Sequence, residues 1–139
     1  MKAKEILKDL VAINTIADKD NRLIMDYIGS FLEAQKFNVT RMKNPKTEKE
    51  VLIGTYVENP AIGFLGHTDT VDITDGWVTN PHDLTEKDGV LYGLGACDMK
   101  GGIAAFLAAI EQTDLEKLEK GLAVYCTYDE EIMLGGVKD

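Results

Sequence analysis

The stretch Gly66-His67-Thr68-Asp69-Thr70-Val71-Asp72 sets an imidazole and a carboxylate two residues apart. In extended backbone, residues two apart point the same way. Asp69 can therefore accept the second N–H of the His67 ring, which fixes the tautomer and raises the ring's basicity as a metal ligand. Such triplets are common, and alone this one also reads as a strand-end histidine beside a polar loop. Two acidic positions downstream change the balance. Asp98 lies in Gly93-Leu94-Gly95-Ala96-Cys97-Asp98-Met99-Lys100-Gly101-Gly102, and Glu130 and Glu131 follow an apolar run.

One histidine with several carboxylates is a mixed N/O donor set, suited to zinc and also to manganese or cobalt. Two metals about 3.5–4 Å apart need a bridging ligand, and a carboxylate with two oxygens can serve. Asp98 is the natural candidate, because Gly93, Gly95, Gly101 and Gly102 let the backbone bend sharply around it. In the glutamate pair, one member can ligate while its neighbour takes a proton from metal-bound water. The other reading of that pair is a polar loop of surface acids. Gly-x-Gly before a helix is also a phosphate-loop signal. Here the third glycine is missing, and Asp98 would repel a phosphate at the helix N-terminus.

These residues must be brought together by the elements around them. Apolar stripes predict helices over about 2–13 (Ile6, Leu10 and Ile13, flanked by Leu7 and Val11) and about 20–35 (Ile24, Tyr27, Ile28, Phe31, Leu32). Asp20 or Asn21 can cap the second helix. Alternation predicts a strand over 37–42, a second over 51–57, and a third in the apolar run Ala61-Ile62-Gly63-Phe64-Leu65, read as buried and ending at His67. A long loop with Trp77 follows. Lys87-Asp88-Gly89 signals a hairpin, residues 103–110 a buried helix, and residues 122–128 a fourth strand ending at Asp129-Glu130-Glu131. Helices alternating with strands give an α/β class, a three-layer αβα arrangement with a central mostly parallel or mixed sheet and helices on both faces. Chemistry in such sheets gathers at strand ends.

At 139 residues the chain is long enough for a domain with a real core. A net charge of −9 argues against nucleic acid or an anionic membrane as partner. Two cysteines, Cys97 and Cys126, do not make a disulfide framework, and a reducing compartment is the better expectation. Neither a signal peptide nor a membrane span is visible, so the sequence reads as cytoplasmic.

In Gly66–Asp72, Trp77–Gly102 and Asp129-Glu130-Glu131, the sequence resembles the M20 metallopeptidase family, which includes acetylornithine deacetylase, succinyl-diaminopimelate desuccinylase and aminoacylase. The runs Leu91-Tyr92-Gly93-Leu94-Gly95 and Asp98-Met99-Lys100-Gly101 look most like acetylornithine deacetylase, an enzyme of arginine biosynthesis. The resemblance implies two divalent metals, zinc first and cobalt or manganese as alternatives. It implies His67 on one metal, Asp69 orienting it, Asp98 bridging with a cis peptide to Met99, Glu130 as general base, and Glu131 on the second metal. The implied reaction is hydrolysis of an N-acyl amino acid or a short peptide, by a homodimer when full-length. The family also uses a later acidic ligand, a late histidine and a smaller lid and dimerisation domain. The match therefore reads as the N-terminal portion of a catalytic domain, expected to bind metal weakly and turn over little alone. His82 sits where relatives usually carry an aromatic and is not expected to ligate.

Overall fold

The computed structural model describes residues 2–17, 19–132 and 136. Three helices carry the apolar stripes: α1 (Ala3–Ala12), α2 (Arg22–Ala34) and α3 (Lys100–Gln112). In α1 the stripe is Ile6, Leu7, Leu10 and Val11, and in α2 it is Ile24, Met25, Ile28 and Leu32; all are buried. Ile103, Ala104, Leu107, Ala108 and Ile110 of α3 complete one shared core. Asn21 is the N-cap of α2 but makes no side-chain cap bond; the residue before it, Asp20, accepts the N–H of Arg22 at 2.8 Å. Asn21 does other work. Its amide exchanges hydrogen bonds with both backbone groups of Glu50, at 2.8 and 2.9 Å.

Strands β1 (Asn38–Lys43), β2 (Glu50–Tyr56), β3 (Pro60–His67) and β6 (Gly121–Thr127) form a mixed sheet in the order β1–β2–β6–β3. β3 runs parallel to β6, while β2 is antiparallel to both its neighbours. β4 (Thr85–Lys87) and β5 (Val90–Tyr92) make the expected hairpin, with Asp88 and Gly89 at φ 53° and 77°. Both left-handed angles are what a tight two-residue turn requires.

Paired residues share a sheet face. Leu52 stands opposite Cys126, and Gly54 opposite Val124, which is itself level with Phe64. Leu32 of α2 lies over Gly54, and Phe64 stacks on Phe106 of α3 with ring centroids 4.5 Å apart. α1 packs against α3. The α/β class and mixed sheet are thus as expected, and the described helices form a layer on one face. The other face presents Leu65 and Tyr125, which are exposed.

That one-sided cover corrects the reading of β3 as a buried strand. Among the described residues β3 is an edge, and Ile62 and Leu65 are 59% and 60% exposed. An apolar run does not say which side of a strand is covered. Only Gly66 and His67, at the end of β3, are buried. No helix among the described residues is long and apolar enough to cross a membrane.

Candidate metal centre

β3 and β6 are parallel neighbours, so both run out at the same end of the sheet, with His67 level with Thr127. This pairing carries His67 to within reach of the acids that follow β6. The loop after β3 is strapped to that end. Thr68 donates to the Thr127 carbonyl through its N–H (3.0 Å) and its hydroxyl (2.9 Å). Thr15 donates its hydroxyl to the Thr68 carbonyl at 2.6 Å and accepts the Thr70 N–H at 3.0 Å. Thr15, Thr68 and Thr70 are all buried, so these bonds form away from competing water.

Helix α3 starts at the same place. The His67 N–H points to Met99 Sδ at 3.3 Å, and the Asp98–Met99 peptide is cis, as the resemblance implies. Of the four glycines around Asp98, two are required by what surrounds them. Gly95 has φ +75°, and a side chain on Gly101 would overlap the Ala96 carbonyl oxygen. Lys100 is buried in the first turn and donates to the Ile13 carbonyl at 2.8 Å, tying α3 to the end of α1.

All five expected residues converge. His67 Nε2 lies 3.0 Å from Asp98 Oδ1 and 3.9 Å from Glu130 Oε2. His67, Glu130 and Glu131 each offer a ligand atom within 4.8 Å of the others. His67 is buried whereas the Asp98 side chain is 73% exposed, so the cluster opens to solvent on the Asp98 side.

Asp69 sits behind the ring, though not as the simple acceptor that its spacing implies. The nearer oxygen to His67 Nδ1 is the Asp69 backbone carbonyl, at 3.2 Å, with the carboxylate Oδ1 at 3.6 Å. Among the described residues that Oδ1 has no partner within hydrogen-bond distance, so the carboxylate faces the ring at longer range than the backbone carbonyl does. Oδ2 accepts the Glu131 N–H at 3.0 Å. Asp69 therefore holds both the histidine and the glutamate turn.

Charge in the cluster is unbalanced. Asp69 first, and Asp98 after it, push the His67 ring up to about 9, against the opposing effect of burial. Burial disfavours the Asp69 carboxylate, but His67 and the N–H groups of Glu131 and Glu130 outweigh it and hold its pKa below the usual range. Glu131 is raised, by burial and then by the charge of Asp98. One imidazole facing three carboxylates, one of them with a raised pKa, is a donor set that a divalent cation fits: it supplies the charge the acids lack.

His82 is not part of this cluster. Both its ring nitrogens are buried without a partner among the described residues, so it fills space as an aromatic would. Trp77 lies beside a shallow surface cavity that it lines with Val78 and Tyr92. No motif or spacing singles out Lys49, a buried lysine that reaches Asp129, next to Glu130.

A family model described as peptidase family M20/M25/M40 matches residues 63–139, more than half of the chain and all five clustered residues. This chain belongs to that peptidase family. Human carnosine dipeptidase 1 superposes with a TM-score of 0.81 at 27% identity, over 93% of this chain and 32% of its own. An M20 family metallo-carboxypeptidase from Sulfolobus solfataricus superposes at 0.82 with 19% identity, over 95% of this chain and 32% of its own. A tripeptidase from Staphylococcus aureus gives 0.74 with 21% identity, over 99% and 38%. The latter two similarities show the shared fold. This M20 chain spans about a third of the length of those solved structures.

Proposed function

We propose that this chain carries the first set of ligands and the proton-transfer group of a two-metal hydrolase that cleaves the terminal amide bond of short peptides. The observation that carries the reading is the meeting of His67, Asp98, Glu130 and Glu131, far apart in sequence, with His67 Nε2 3.0 Å from Asp98 and 3.9 Å from Glu130. His67, Asp98 and Glu131 would hold the cations, Asp98 between the two. Zinc is the first choice, with cobalt and manganese compatible with the same donors. When bound, such an ion lowers the pKa of its water toward about 7 and polarises the scissile carbonyl.

The remaining work falls to the chain's own groups. Glu130, partly exposed beside the ring, is placed to take the proton of the attacking water and return it to the leaving amine. Asp69 keeps the His67 ring in one orientation and, through the Glu131 N–H, keeps the turn in register with it. Similarity to human carnosine dipeptidase 1 supports a dipeptide-sized substrate. A second reading, deacylation of N-acyl amino acids, is favoured by the resemblance of residues 91–101 to acetylornithine deacetylase. Both break the same type of bond. The wider family pattern adds two further ligands, a lid domain and a homodimer, while the cysteine usage, Cys97 and Cys126 both free, favours a reducing, cytoplasmic setting.

Zinc titration of this chain beside a His67→Ala, Asp98→Ala double variant tests the centre. Specific binding that the double variant lacks is expected, and equal binding by both would overturn the assignment. Assays with zinc or cobalt against carnosine and N-acetylornithine address the substrate. Little turnover by the 139-residue chain is expected. Robust turnover would show that the additional ligands are dispensable.

A further inference from the structure

Lys49 precedes β2 and is only 8% exposed. Its ammonium donates to the Ala17 carbonyl and to Asp129 Oδ1, and lies 5.7 Å from the centre of the Tyr128 ring. Three segments therefore meet on one cation: the connection between α1 and α2, the entry to β2, and the turn after β6. The neighbouring residue reinforces the join, since both backbone groups of Glu50 are bonded to the Asn21 amide.

The turn needs such a hold. Asp129 is left-handed, at φ +57°, which costs a non-glycine residue free energy. The two residues that follow it are carboxylates facing a third, Asp98, so like-charge repulsion pushes the turn open. Asp69 restrains it from one side, through the Glu131 N–H at 3.0 Å. On the other side the only charged side chain seen gripping Asp129, among the described residues, is Lys49.

We propose that Lys49 is a positioning residue of the metal centre: by gripping Asp129 it fixes the turn that aims Glu130 and Glu131 at His67 and Asp98. The inference rests on the metal-centre reading given above. Lys49 touches none of the ligand atoms, so its effect is transmitted through Asp129. Removing the ammonium frees Asp129 to leave the left-handed region and lets the acids separate. Lys49→Arg keeps the charge and a donor for Asp129, and Asp129→Asn removes the ionic grip from the other end.

The test is calorimetric zinc titration of the 139-residue chain with melting temperatures measured alongside. Lys49→Met is expected to weaken zinc binding about tenfold or more, the usual effect of losing a group that orients ligands. Lys49→Arg should recover part of the loss, and Asp129→Asn should behave like Lys49→Met, which covers the case in which Lys49→Met does not fold. Ile28→Val, a core change in α2, lowers the melting temperature without touching the centre and should leave the affinity within about twofold. Wild-type affinity in folded Lys49→Met or Asp129→Asn overturns the proposal. So does an equal loss in Ile28→Val, because affinity would then simply follow stability. Wild-type chain that shows no zinc binding sensitive to His67→Ala sinks the metal-centre reading instead, and this inference with it.

Discussion

The backbone N–H of Glu131 donates to Asp69 Oδ2 at 3.0 Å, joining the loop after β3 to the turn after β6 across 62 positions of sequence. The other oxygen of the same buried carboxylate faces the His67 ring at 3.6 Å. Asp69→Ala removes both influences at once. Metal affinity should fall about 10- to 100-fold, and stability by about 1 kcal/mol, since the half-buried Glu131 N–H loses its acceptor. Asp69→Asn keeps an oxygen for that N–H but not the charge. It should recover most of the stability and little of the affinity, a split that paired calorimetric and thermal measurements would reveal.

His82 offers a prediction of opposite sign. Among the described residues its two ring nitrogens are buried without partners, and a buried unpaired polar group costs free energy. Phenylalanine has nearly the same shape and nothing to satisfy. His82→Phe should therefore stabilise the chain, by about 1 kcal/mol, and leave zinc affinity unchanged. Denaturant unfolding checks the first point. A stability loss would show that the ring nitrogens do have a partner in solution.

Local patterns carried much of this in the sequence. The i, i+3, i+4 spacing in α2 and the Asp88-Gly89 turn each depend on a few neighbouring residues, and both elements form where those residues put them. The centre was legible for a different reason: His67 and Glu130-Glu131 follow the ends of the parallel pair β3–β6, and Asp98 stands just before the helix that starts at the same edge. What stayed hidden were contacts between distant segments. Nothing near Lys49 in sequence points to Asp129, 80 residues later. Likewise the run Ala61–Leu65 is apolar enough for a buried strand, but its exposure is decided by which face the helices cover, for Leu65, and by the place of β3 at the edge of the described sheet, for Ile62. The preference of His67 Nδ1 for the Asp69 carbonyl over the carboxylate depends on backbone angles that residue spacing does not encode.

The exposed strand makes its own prediction. Among the described residues β3 has a neighbour only on the β6 side, with Ile62 and Leu65 facing out. An unpaired, apolar edge is a template for association between copies. The chain should associate as its concentration rises, and Leu65→Lys, which adds a charge to that edge, should suppress the association. Because Leu65 is 60% exposed, the change should shift stability by no more than about 0.5 kcal/mol. Sedimentation of both proteins over a concentration series measures the effect. Identical association would move the contact to another surface.

Lys100 gives the chain a pH dependence whose sign can be worked out. Burial lowers its ammonium from the ordinary 10.5 to about 8. Above 10.5 neither state holds the proton, and below about 8 both do, the folded state at a cost. Between those values the unfolded chain binds a proton that the folded chain does not, so this group makes stability rise with pH, by up to about 1.4 kcal/mol per unit. Cys126 works the other way. Burial raises its thiol from 9.0 to about 12, so its contribution falls as pH rises through that interval. Lys100→Met removes the first effect and keeps the second. The stability of wild type minus Lys100→Met, from urea unfolding, should therefore be flat below about pH 8 and climb from there toward pH 10. The Cys126 contribution cancels in this difference. A difference that stays flat across the window would mean that the Lys100 ammonium remains charged in the folded chain, held by more than the Ile13 carbonyl.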